Sequence, residues 1–405
     1  MPDLHQQFAD HVAWTSDEPL GLTVERAEGP FLHLDDGRRV IDLISGIAVS
    51  SLGHRHPRVV EAIKQQVDRH LHVMVYGEMV QRPQVAFASL LAEQLPPALQ
   101  VAYFTMSGTE ANEGALKLAK KYTGRRKLVA FEHSYHGDTH GSLSVTGRSV
   151  YQDPFRPLLP NVEFLPFNEV DALRAIDTDT AAVITEPIQG EGGIHVPSDA
   201  WMQALRRRCT ETGALLLFDE IQTGFGRTGD LFAFEGFGVV PDIMSVAKAM
   251  GGGMPIGAFI SSPEILGVLR RDPPLSHVTT FGGHPVSCAA AFATLQVLLD
   301  EELPARAQAV GQHIRDRLDH PLIREVRGRG AMLGMELVSR EVTQAVVERC
   351  MDRGVLLGWT LHSNTLVRIA PPLNIPLGVL DEALDTMLEA LNHVHDPSLM
   401  QNTSA

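Results

Sequence analysis

The stretch LLLFDEIQTGFGRTG (215–229) and the nearby PDIMSVAKAMGGG (241–253) decide the fold. Residues 215–218 are wholly apolar, and a short run of this kind is typical of a strand buried on both faces of a parallel sheet. The run stops at two carboxylates, Asp219 and Glu220. Because open α/β sheets bind their ligands at the carboxyl ends of the strands, the stretch predicts an α/β protein with a binding site at Asp219.

Lys248 follows a second apolar run and lies between two alanines, just before the glycines 251–253. Little side-chain bulk surrounds its amine, which can therefore meet a flat ligand lying on the backbone. An acid at a strand end and a lysine in an apolar loop suit pyridoxal phosphate. The lysine forms a Schiff base with the aldehyde, and the acid holds the pyridine nitrogen protonated. The alternative is a turn-capping Asp219 and a solvated Lys248, but an unpaired charge is costly in such apolar surroundings.

The same stretch also matches the G-x-G-x-x-G pattern of dinucleotide-binding turns, at Gly224, Gly226 and Gly229. That pattern needs a helix that opens at the last glycine and points its N-terminus at a pyrophosphate. The residues that follow, DLFAFEGFG (230–238), have no helical period, and the two acids before the turn would repel phosphates. We therefore expect no dinucleotide site here.

Composition narrows the class of protein. The 405 residues, 44% of them hydrophobic and 20% charged, are typical of a soluble globular protein with two or three domains. A formal net charge of −15 argues against nucleic acid or an anionic membrane as a partner. The three widely spaced cysteines predict reduced thiols, and the first 20 residues show no signal-peptide pattern. Reduced thiols lead us to expect a cytoplasmic protein, and no apolar run is long enough to span a bilayer.

Strands and helices alternate on both sides of the central stretch. The segments 101–122, 127–147 and 181–212 each begin with an apolar strand and continue into a helix. This alternation predicts a mostly parallel sheet with helices on both faces. From about residue 300, amphipathic helices and shorter strands predict a smaller α+β domain.

We accordingly divide the chain into a large domain over 50–295, which binds the cofactor, and a small domain built from both chain ends, 1–49 and 296–405. Within the small domain, FLHLDDGRRVIDLISG (31–46) predicts a β-hairpin that turns at Asp35-Asp36-Gly37. Residues 1–30 are expected to be irregular, and the last dozen residues to be disordered.

Two further segments carry candidate ligand groups. Ser107 or Thr109 can cap the helix that follows residue 106, and the free N–H groups of Gly108 and Thr109 would make an anion site suited to a phosphate. Tyr135 follows a strand end, where an aromatic ring can cover a flat cofactor. The histidines 133, 136 and 140 invite a metal interpretation, but no cysteine or carboxylate set completes a site, and we expect no metal.

Seven blocks of the chain, in this order, resemble the class III aminotransferases, which have the type I pyridoxal-phosphate fold. They are SGTEANEGALKLA (107–119), SYHGDT (134–139), EPIQGEGG (186–193), FDEIQTGFGRTG (218–229), DIMSVAKAMGGGMPIGA (242–258), TTFGGHP (279–285) and IAPPLNI (369–375). The resemblance runs from about residue 21 to about residue 391. It implies pyridoxal 5'-phosphate as cofactor and an active site shared between the subunits of a homodimer.

The resemblance also implies a role for each site residue. Lys248 is the Schiff-base lysine and proton shuttle, and Asp219 pairs with the pyridine nitrogen. The remaining cofactor contacts are Ser107, Gly108 and Thr109 at the phosphate, Tyr135 stacked on the ring, Gln222 at the ring hydroxyl, and Thr280 at the phosphate of the partner subunit's cofactor.

On the substrate side, the resemblance makes Arg368 the residue that takes a carboxylate in a bidentate pair, and Glu191 the residue that pairs with this arginine when the donor presents a distal amine. The implied reaction is a ping-pong transfer of an amino group from an amino acid or ω-amine donor to 2-oxoglutarate.

Within the class, the chain looks most like the acetylornithine and ornithine aminotransferases in the sequence of three segments: GIAVSSLGHRHP (46–57), GGGMPIGA (251–258) and PPLNI (371–375). Asp138 departs from them, because an arginine is usual there, and in this feature the chain looks like diaminopelargonate aminotransferase. An aspartate would repel a carboxylate and favour an ammonium group, unless it caps a helix over 138–146. Lysine, diamine and 4-aminobutyrate donors stay open, as does a pyridoxal aminomutase, epimerase or decarboxylase on the same scaffold.

Overall fold

The computed structural model describes residues 3–359 and 363–395. Its strands are β1 (Val24–Glu28), β2 (Phe31–Leu34), β3 (Arg39–Asp42), β4 (Val101–Thr105), β5 (Lys127–Phe131), β6 (Val162–Leu165), β7 (Thr180–Thr185), β8 (Leu215–Asp219), β9 (Ile243–Val246), β10 (Gly257–Ser261), β11 (Ile323–Arg329), β12 (Met332–Leu337), β13 (Val355–Leu356), β14 (Gly358–Trp359) and β15 (Leu366–Ile369).

The α-helices are α1 (Leu4–His11), α2 (Ser45–Ala48), α3 (Pro57–Val67), α4 (Arg82–Glu93), α5 (Gly108–Thr123), α6 (His140–Ser144), α7 (Ser149–Gln152), α8 (Asp199–Thr212), α9 (Ala233–Phe237), α10 (Pro263–Leu266), α11 (Pro285–Asp300), α12 (Leu303–Arg317), α13 (Arg340–Asp352) and α14 (Leu377–His395). Short 3-10 turns occur at Asp153–Phe155, Asp171–Ala175, Lys248–Gly251 and Gly267–Arg270. No helix among the described residues is long and apolar enough to cross a membrane.

The central sheet has the strand order β4-β10-β9-β8-β7-β5-β6. Strands β6, β5, β7, β8 and β9 run parallel, whereas β10 is antiparallel to both of its neighbours, β9 and β4. Every residue of β7, β8, β9 and β10 is buried. The predicted mostly parallel sheet is therefore confirmed, and the apolar run 215–218 forms β8 at its centre.

Side chains of β8 alternate between two apolar cores, one on each face of the sheet. Leu216 and Phe218 pack in the core that contains Trp201 of α8. Leu217 packs in the core that contains Leu118 of α5. Since successive residues of a strand point to opposite faces, a strand covered on both sides must be apolar throughout, which is why the sequence pattern of β8 is continuous.

Two smaller sheets flank this layer. The first has the strand order β1-β2-β3-β13, in which β3 of the N-terminal segment pairs in parallel with β13 of the C-terminal region. The second has the strand order β11-β12-β15-β14 and contains only C-terminal strands. Both chain ends thus contribute to one region, and the domain boundaries at residues 50 and 295 stay predictions.

The expectation that residues 1–30 are irregular was wrong for two segments, while residues 12–23 do lack helix and strand. Residues Leu4–His11 form α1, whose first turn is capped by the Asp3 side chain, which accepts from the His5 amide at 3.3 Å. Residues Val24–Glu28 form β1, antiparallel to β2. Both elements are largely exposed. In α1, Leu4 and Phe8 lie one helical turn apart, a signal that was available, whereas the charged residues of β1 give no apolar alternation. The disorder predicted for the last dozen residues falls almost wholly outside the described residues.

Candidate active site

A pocket of about 700 Å³ opens at the carboxyl ends of β8, β7 and β5 and at the N-terminus of α5. Eight of the predicted site residues line it: Ser107, Gly108, Thr109, Tyr135, Asp138, Asp219, Gln222 and Lys248. The other three, which also lie in the described part of the chain, are outside its lining: Glu191, Thr280 and Arg368. The sequence pattern thus brings most of the candidate groups to a single site.

Asp219 ends β8 and is almost completely buried, at 4% exposure. Its Oδ2 atom accepts from Asn112 Nδ2 at 2.8 Å and lies 2.7 Å from His136 Nδ1, and its Oδ1 atom accepts from the Ile221 amide at 3.1 Å. Three hydrogen bonds to its two oxygens fix the orientation of this carboxylate. The carboxylate is therefore a preorganised negative group at the base of the pocket.

The site prediction missed Asn112 and His136. Asn112 lies on α5, and its amide also donates to the His136 carbonyl at 2.8 Å. From the sequence, His136 suggests only a metal ligand together with His133 and His140. Within the described ranges, no group of three or more histidine, cysteine or acidic side chains could hold a metal ion. A histidine directly after a pocket tyrosine was the available signal, but its partner is 83 residues away in sequence.

Lys248 follows β9 and opens a 3-10 turn in the left-handed region, with φ of +47°. Such a conformation costs a non-glycine residue about 1–3 kcal/mol and is frequent at functional sites. Asp219 pairs with Ser245 across β8 and β9, so the two strands deliver Asp219 and Lys248 to the same edge of the sheet. Burial lowers the pKa of Lys248, which increases the share of neutral, nucleophilic amine.

The N-terminus of α5 forms an anion-binding site on one wall of the pocket. Ser107 is its N-cap and accepts from the Glu110 amide at 3.3 Å. Gly108 and Thr109 are the first helical residues, so their N–H groups have no acceptor within the helix. A Cβ at Gly108 would come within 2.7 Å of the Ile221 side chain, which explains the glycine. This helix end can therefore hold a phosphate.

Tyr135 and Asp138 form a hydrogen-bonded pair in the pocket wall. The Tyr135 hydroxyl donates to Asp138 Oδ2 at 2.7 Å. Burial and the adjacent carboxylate raise the pKa of Tyr135 well above its ordinary value, so the hydroxyl keeps its proton. Helix α6 begins at His140 with Thr139 as N-cap. The alternative that Asp138 caps a helix over 138–146 was therefore wrong, and Asp138 lines the pocket.

Glu186 is a second buried carboxylate in the pocket and was not among the predicted site residues. It accepts from the Tyr135 amide at 3.1 Å and from the Gly190 amide at 2.9 Å. Burial, the largest cause, raises its pKa to about 7. Glu186 therefore ties the loop that carries Tyr135 to the loop that carries Glu191.

Glu191 and Arg368 form a buried ion pair with a closest contact of 2.6 Å, behind the lining of the pocket. Arg368 lies on β15, and Glu191 lies in the loop after β7. Gln222, which does line the pocket, donates to the Glu191 carboxylate at 3.4 Å and connects the pair to the pocket. A charged pair with so little solvent is strongly coupled, and removing either partner leaves an uncompensated charge.

The glycine turn after β8 is not arranged for a dinucleotide. The nearest helix, α9, begins four residues after Gly229. Its first amides, those of Ala233 and Phe234, donate to the buried carboxylate of Glu220 at 3.1 and 2.8 Å, and the Thr223 hydroxyl donates to the same group. The helix end that a pyrophosphate would need is thus occupied by a side chain of this turn.

The sequence pattern of the family "Aminotransferase class-III" matches residues 12–394. The chain belongs to the class III aminotransferases. It is 44% identical to the acetylornithine aminotransferase of Methanopyrus kandleri, over 91% of this chain and 94% of that protein. It is 43% identical to the acetylornithine aminotransferase of Methanosarcina mazei, over 91% of each.

Solved structures agree with this assignment. The ornithine aminotransferase of Toxoplasma gondii, which holds pyridoxal phosphate at its active site in partial occupancy, superposes with a TM-score of 0.89 at 29% identity, over 96% of this chain and 93% of that one. An (S)-enantioselective omega-transaminase from Thermomicrobium roseum superposes with a TM-score of 0.90 at 31% identity, over 96% of this chain and 98% of that one. The type I fold is confirmed, and this class III aminotransferase uses pyridoxal 5'-phosphate.

The pocket fits this cofactor by its own chemistry. It offers a helix N-terminus for a dianionic phosphate, a buried carboxylate for a protonated ring nitrogen, an aromatic ring, and a lysine whose pKa burial lowers.

Proposed function

We propose that the enzyme transfers the distal amino group of an acetylornithine- or ornithine-like donor to 2-oxoglutarate in a ping-pong reaction. The relatives named acetylornithine aminotransferase, at 41–44% identity, support the donor class. The observation that carries the proposal is the buried Glu191–Arg368 pair. While a distal amine reacts, Glu191 covers the arginine; when 2-oxoglutarate binds, its carboxylate takes Arg368 in a bidentate pair.

Pyridoxal phosphate supplies the aldehyde that receives the amino group and a ring that accepts electrons. The chain supplies the proton transfers. Lys248 Nζ removes and returns protons at the donor carbon that bears the amine, and its lowered pKa suits a general base. Asp219 would hold a proton on the ring nitrogen, and the contacts of Asp219 with Asn112 and His136 fix the orientation of its carboxylate.

The remaining pocket residues bind and orient in this proposal. Ser107, Gly108 and Thr109 hold the phosphate, Tyr135 stacks on the ring, and Gln222 contacts the ring hydroxyl. The Thr109 hydroxyl is hydrogen-bonded to the Thr139 hydroxyl at 2.8 Å, which fixes its orientation in the anion-binding site.

We further propose a homodimer, in which Thr280 of one subunit reaches the phosphate in the partner's pocket. Thr280 is exposed and lies outside the pocket of its own chain. We name a set of exposed apolar side chains the rim face, of which Met106 also lines that pocket: Val73, Met74, Val85, Met106 and Phe281. Its segments touch one another, since the rings of His72 and Phe281 lie 4.9 Å apart in a tilted arrangement and Gln84 donates to the Gly283 carbonyl at 2.8 Å. We place the enzyme in the cytoplasm, in keeping with three unpaired, buried cysteines.

A second donor class is favoured by Asp138. Its carboxylate lines the pocket and is exposed there, so a diamine or diaminopelargonate-type donor could place an ammonium group against it. A donor panel with 2-oxoglutarate separates the two: acetylornithine, ornithine, lysine, 4-aminobutyrate and simple diamines, scored by specificity constant. Glutamate formation that is fastest from acetylornithine or ornithine supports the first class. Glutamate formation that needs no added amine donor, or product formation without any 2-oxo acid, would overturn aminotransfer of this kind.

A further inference from the structure

Three neighbouring strands of the C-terminal sheet place two arginines on one face. Arg327 on β11 lies opposite Gly334 on β12, and Gly334 lies opposite Arg368 on β15. Residues directly opposite each other in antiparallel strands project to the same face. Both guanidinium groups therefore rise from one face, about 10 Å or two strand spacings apart at the backbone, with a bare glycine between them.

The loop 190–194, which carries Glu191, lies on this face. A Cβ at Gly334 would come within 3.1 Å of the Ile194 side chain, so the absence of a side chain at Gly334 lets the loop approach. Arg368 holds the loop through the Glu191 carboxylate at 2.6 Å. Arg327 holds it through the backbone, because its Nε donates to the Gly193 carbonyl at 2.7 Å. The loop is thus docked at two points.

The second contact is held in place by groups remote from the pocket. Arg327 also donates to Glu336 at 2.9 Å and to Glu325 at 3.1 Å, and the Thr365 hydroxyl donates to Glu336 at 2.5 Å. A Cβ at Gly193 would lie 3.3 Å from Arg327 Nη2, so this glycine lets the guanidinium group reach the backbone. The side chain of Arg327 is only 16% exposed. Its contact with the loop therefore does not depend on what binds in the pocket.

We propose that Arg327 is a positioning residue, which fixes the backbone of the Glu191 loop so that the Glu191 side chain alone moves to and from Arg368. The inference rests on the proposed function, in which Arg368 meets a carboxylate in one half-reaction and is covered by Glu191 in the other. Without the anchor, the loop leaves the sheet and Arg368 stays uncovered. Arg327 therefore sets the preference for distal-amine donors over donors whose reacting amine lies beside a carboxylate.

Hydrogen–deuterium exchange tests the anchor itself. The amides of Gly193 and Ile194 donate to the Gly190 carbonyl at 3.2 and 3.3 Å, so their exchange reports the closed loop. In the holoenzyme, Arg327→Met should speed exchange in a peptide over 187–196 by about tenfold, the expected effect of losing one charged hydrogen bond. Arg327→Lys keeps a cation beside Glu336, so its exchange rate over 187–196 should lie between those of the wild type and Arg327→Met.

Arg324→Met is the matched control. Arg324 lies on the same strand and its guanidinium donates to the Val338 carbonyl at the same 2.7 Å, away from the loop. The same substitution therefore removes an equivalent arginine–carbonyl bond, and exchange over 187–196 should stay at the wild-type rate.

Kinetics test the selectivity. The specificity constant for ornithine, divided by that for alanine, should fall about tenfold in Arg327→Met and stay unchanged in Arg324→Met. Equal losses for both donors, or unchanged exchange over 187–196, would overturn the positioning role. If the wild type transfers no distal amine, the proposed function fails and the selectivity role fails with it, while the exchange measurement still judges the anchor separately.

Discussion

At the level of single residues, Asp219 is defined by its contacts as much as by its charge. Two side chains and one amide hold its carboxylate oxygens, and 4% of the residue is exposed. Its two side-chain partners are 83 and 107 residues away in sequence. A local pattern could therefore predict the acid at the strand end and the lysine in the glycine loop, and the same pattern applies to Glu186, which directly follows β7. It could not predict the contacts of Asn112 and His136 with Asp219, because these arise from tertiary structure.

Asp219→Asn should lower turnover by orders of magnitude and weaken cofactor binding. The amide cannot keep the ring nitrogen protonated, so stabilisation of charge in the transition state is lost while covalent attachment through Lys248 persists. The checks are kcat with a saturating donor and the visible absorbance of the bound cofactor. Turnover near that of the wild type would contradict the role of Asp219.

Asp138→Arg should change which donors the enzyme prefers. A like charge at close range in a partly dehydrated site costs on the order of a few kcal/mol, so replacing it by an opposite charge should favour carboxylate-bearing donors. We expect the specificity constant for acetylornithine, divided by that for a diamine, to rise at least about tenfold.

The thermal midpoint of Asp138→Arg should stay close to that of the wild type, because the first free amides of α6, those of Gly141 and Ser142, donate to Glu113 and not to Asp138. An unchanged donor ratio together with a lowered midpoint would instead make Asp138 a structural residue.

At the level of elements, the turn between β8 and α9 depends on one buried acid. Glu220 accepts from the first two amides of α9, and burial raises its pKa to about 7. The unfolded chain ionises the group near its ordinary pKa of 4.5. The folded state thus retains the proton to higher pH, and the stability that this contributes is full below pH 4.5 and is lost as the pH rises to about 7.

The thermal midpoint of the wild type should therefore fall relative to that of Glu220→Gln as the pH rises from 4.5 to 7. Above about pH 7, the difference between the two midpoints should be constant. For a chain of this length we expect a relative change of a few degrees. Glu186, whose pKa is also raised to about 7, is present in both proteins and cancels in the difference. A gap that does not vary with pH would show that Glu220 stays ionised in the folded protein.

Helices and strands could be predicted from the sequence where burial of one or both faces imposes a regular spacing of apolar residues. Strand β8 is covered on both faces and α8 is amphipathic, and both were placed correctly. The antiparallel direction of β10 could not be foreseen, because its residues are as uniformly buried as those of its parallel neighbours. Strand β1 could not be predicted because its exposed, mostly charged residues show no apolar alternation, whereas Leu4 and Phe8 gave a helical spacing from which α1 could have been predicted.

At the level of the whole molecule, assembly is the main untested prediction. Val85→Glu places a charge in the rim face, on the first turn of α4, where a glutamate is compatible with the helix. We expect this variant to dissociate to monomers in sedimentation experiments and to retain less cofactor, because the partner's Thr280 would no longer reach the pocket.

Val170→Glu is the control for that experiment. Both valines are 50% exposed, and Val170 lies outside the rim face, so the control should keep the assembly of the wild type. Dimers of equal strength in both variants would exclude the rim face as the interface, and a fully active wild-type monomer would exclude the shared site.

The most direct test of the proposed reaction follows the nitrogen atom. The holoenzyme is incubated with 2-oxoglutarate and ornithine labelled with nitrogen-15 at its distal amine only, and the glutamate formed is analysed by mass spectrometry, with Lys248→Ala as the inactive control. We expect glutamate to carry the label in the wild-type reaction and Lys248→Ala to form none. Unlabelled glutamate, or labelled glutamate formed equally well by Lys248→Ala, would rule out transfer of the distal amino group through Lys248.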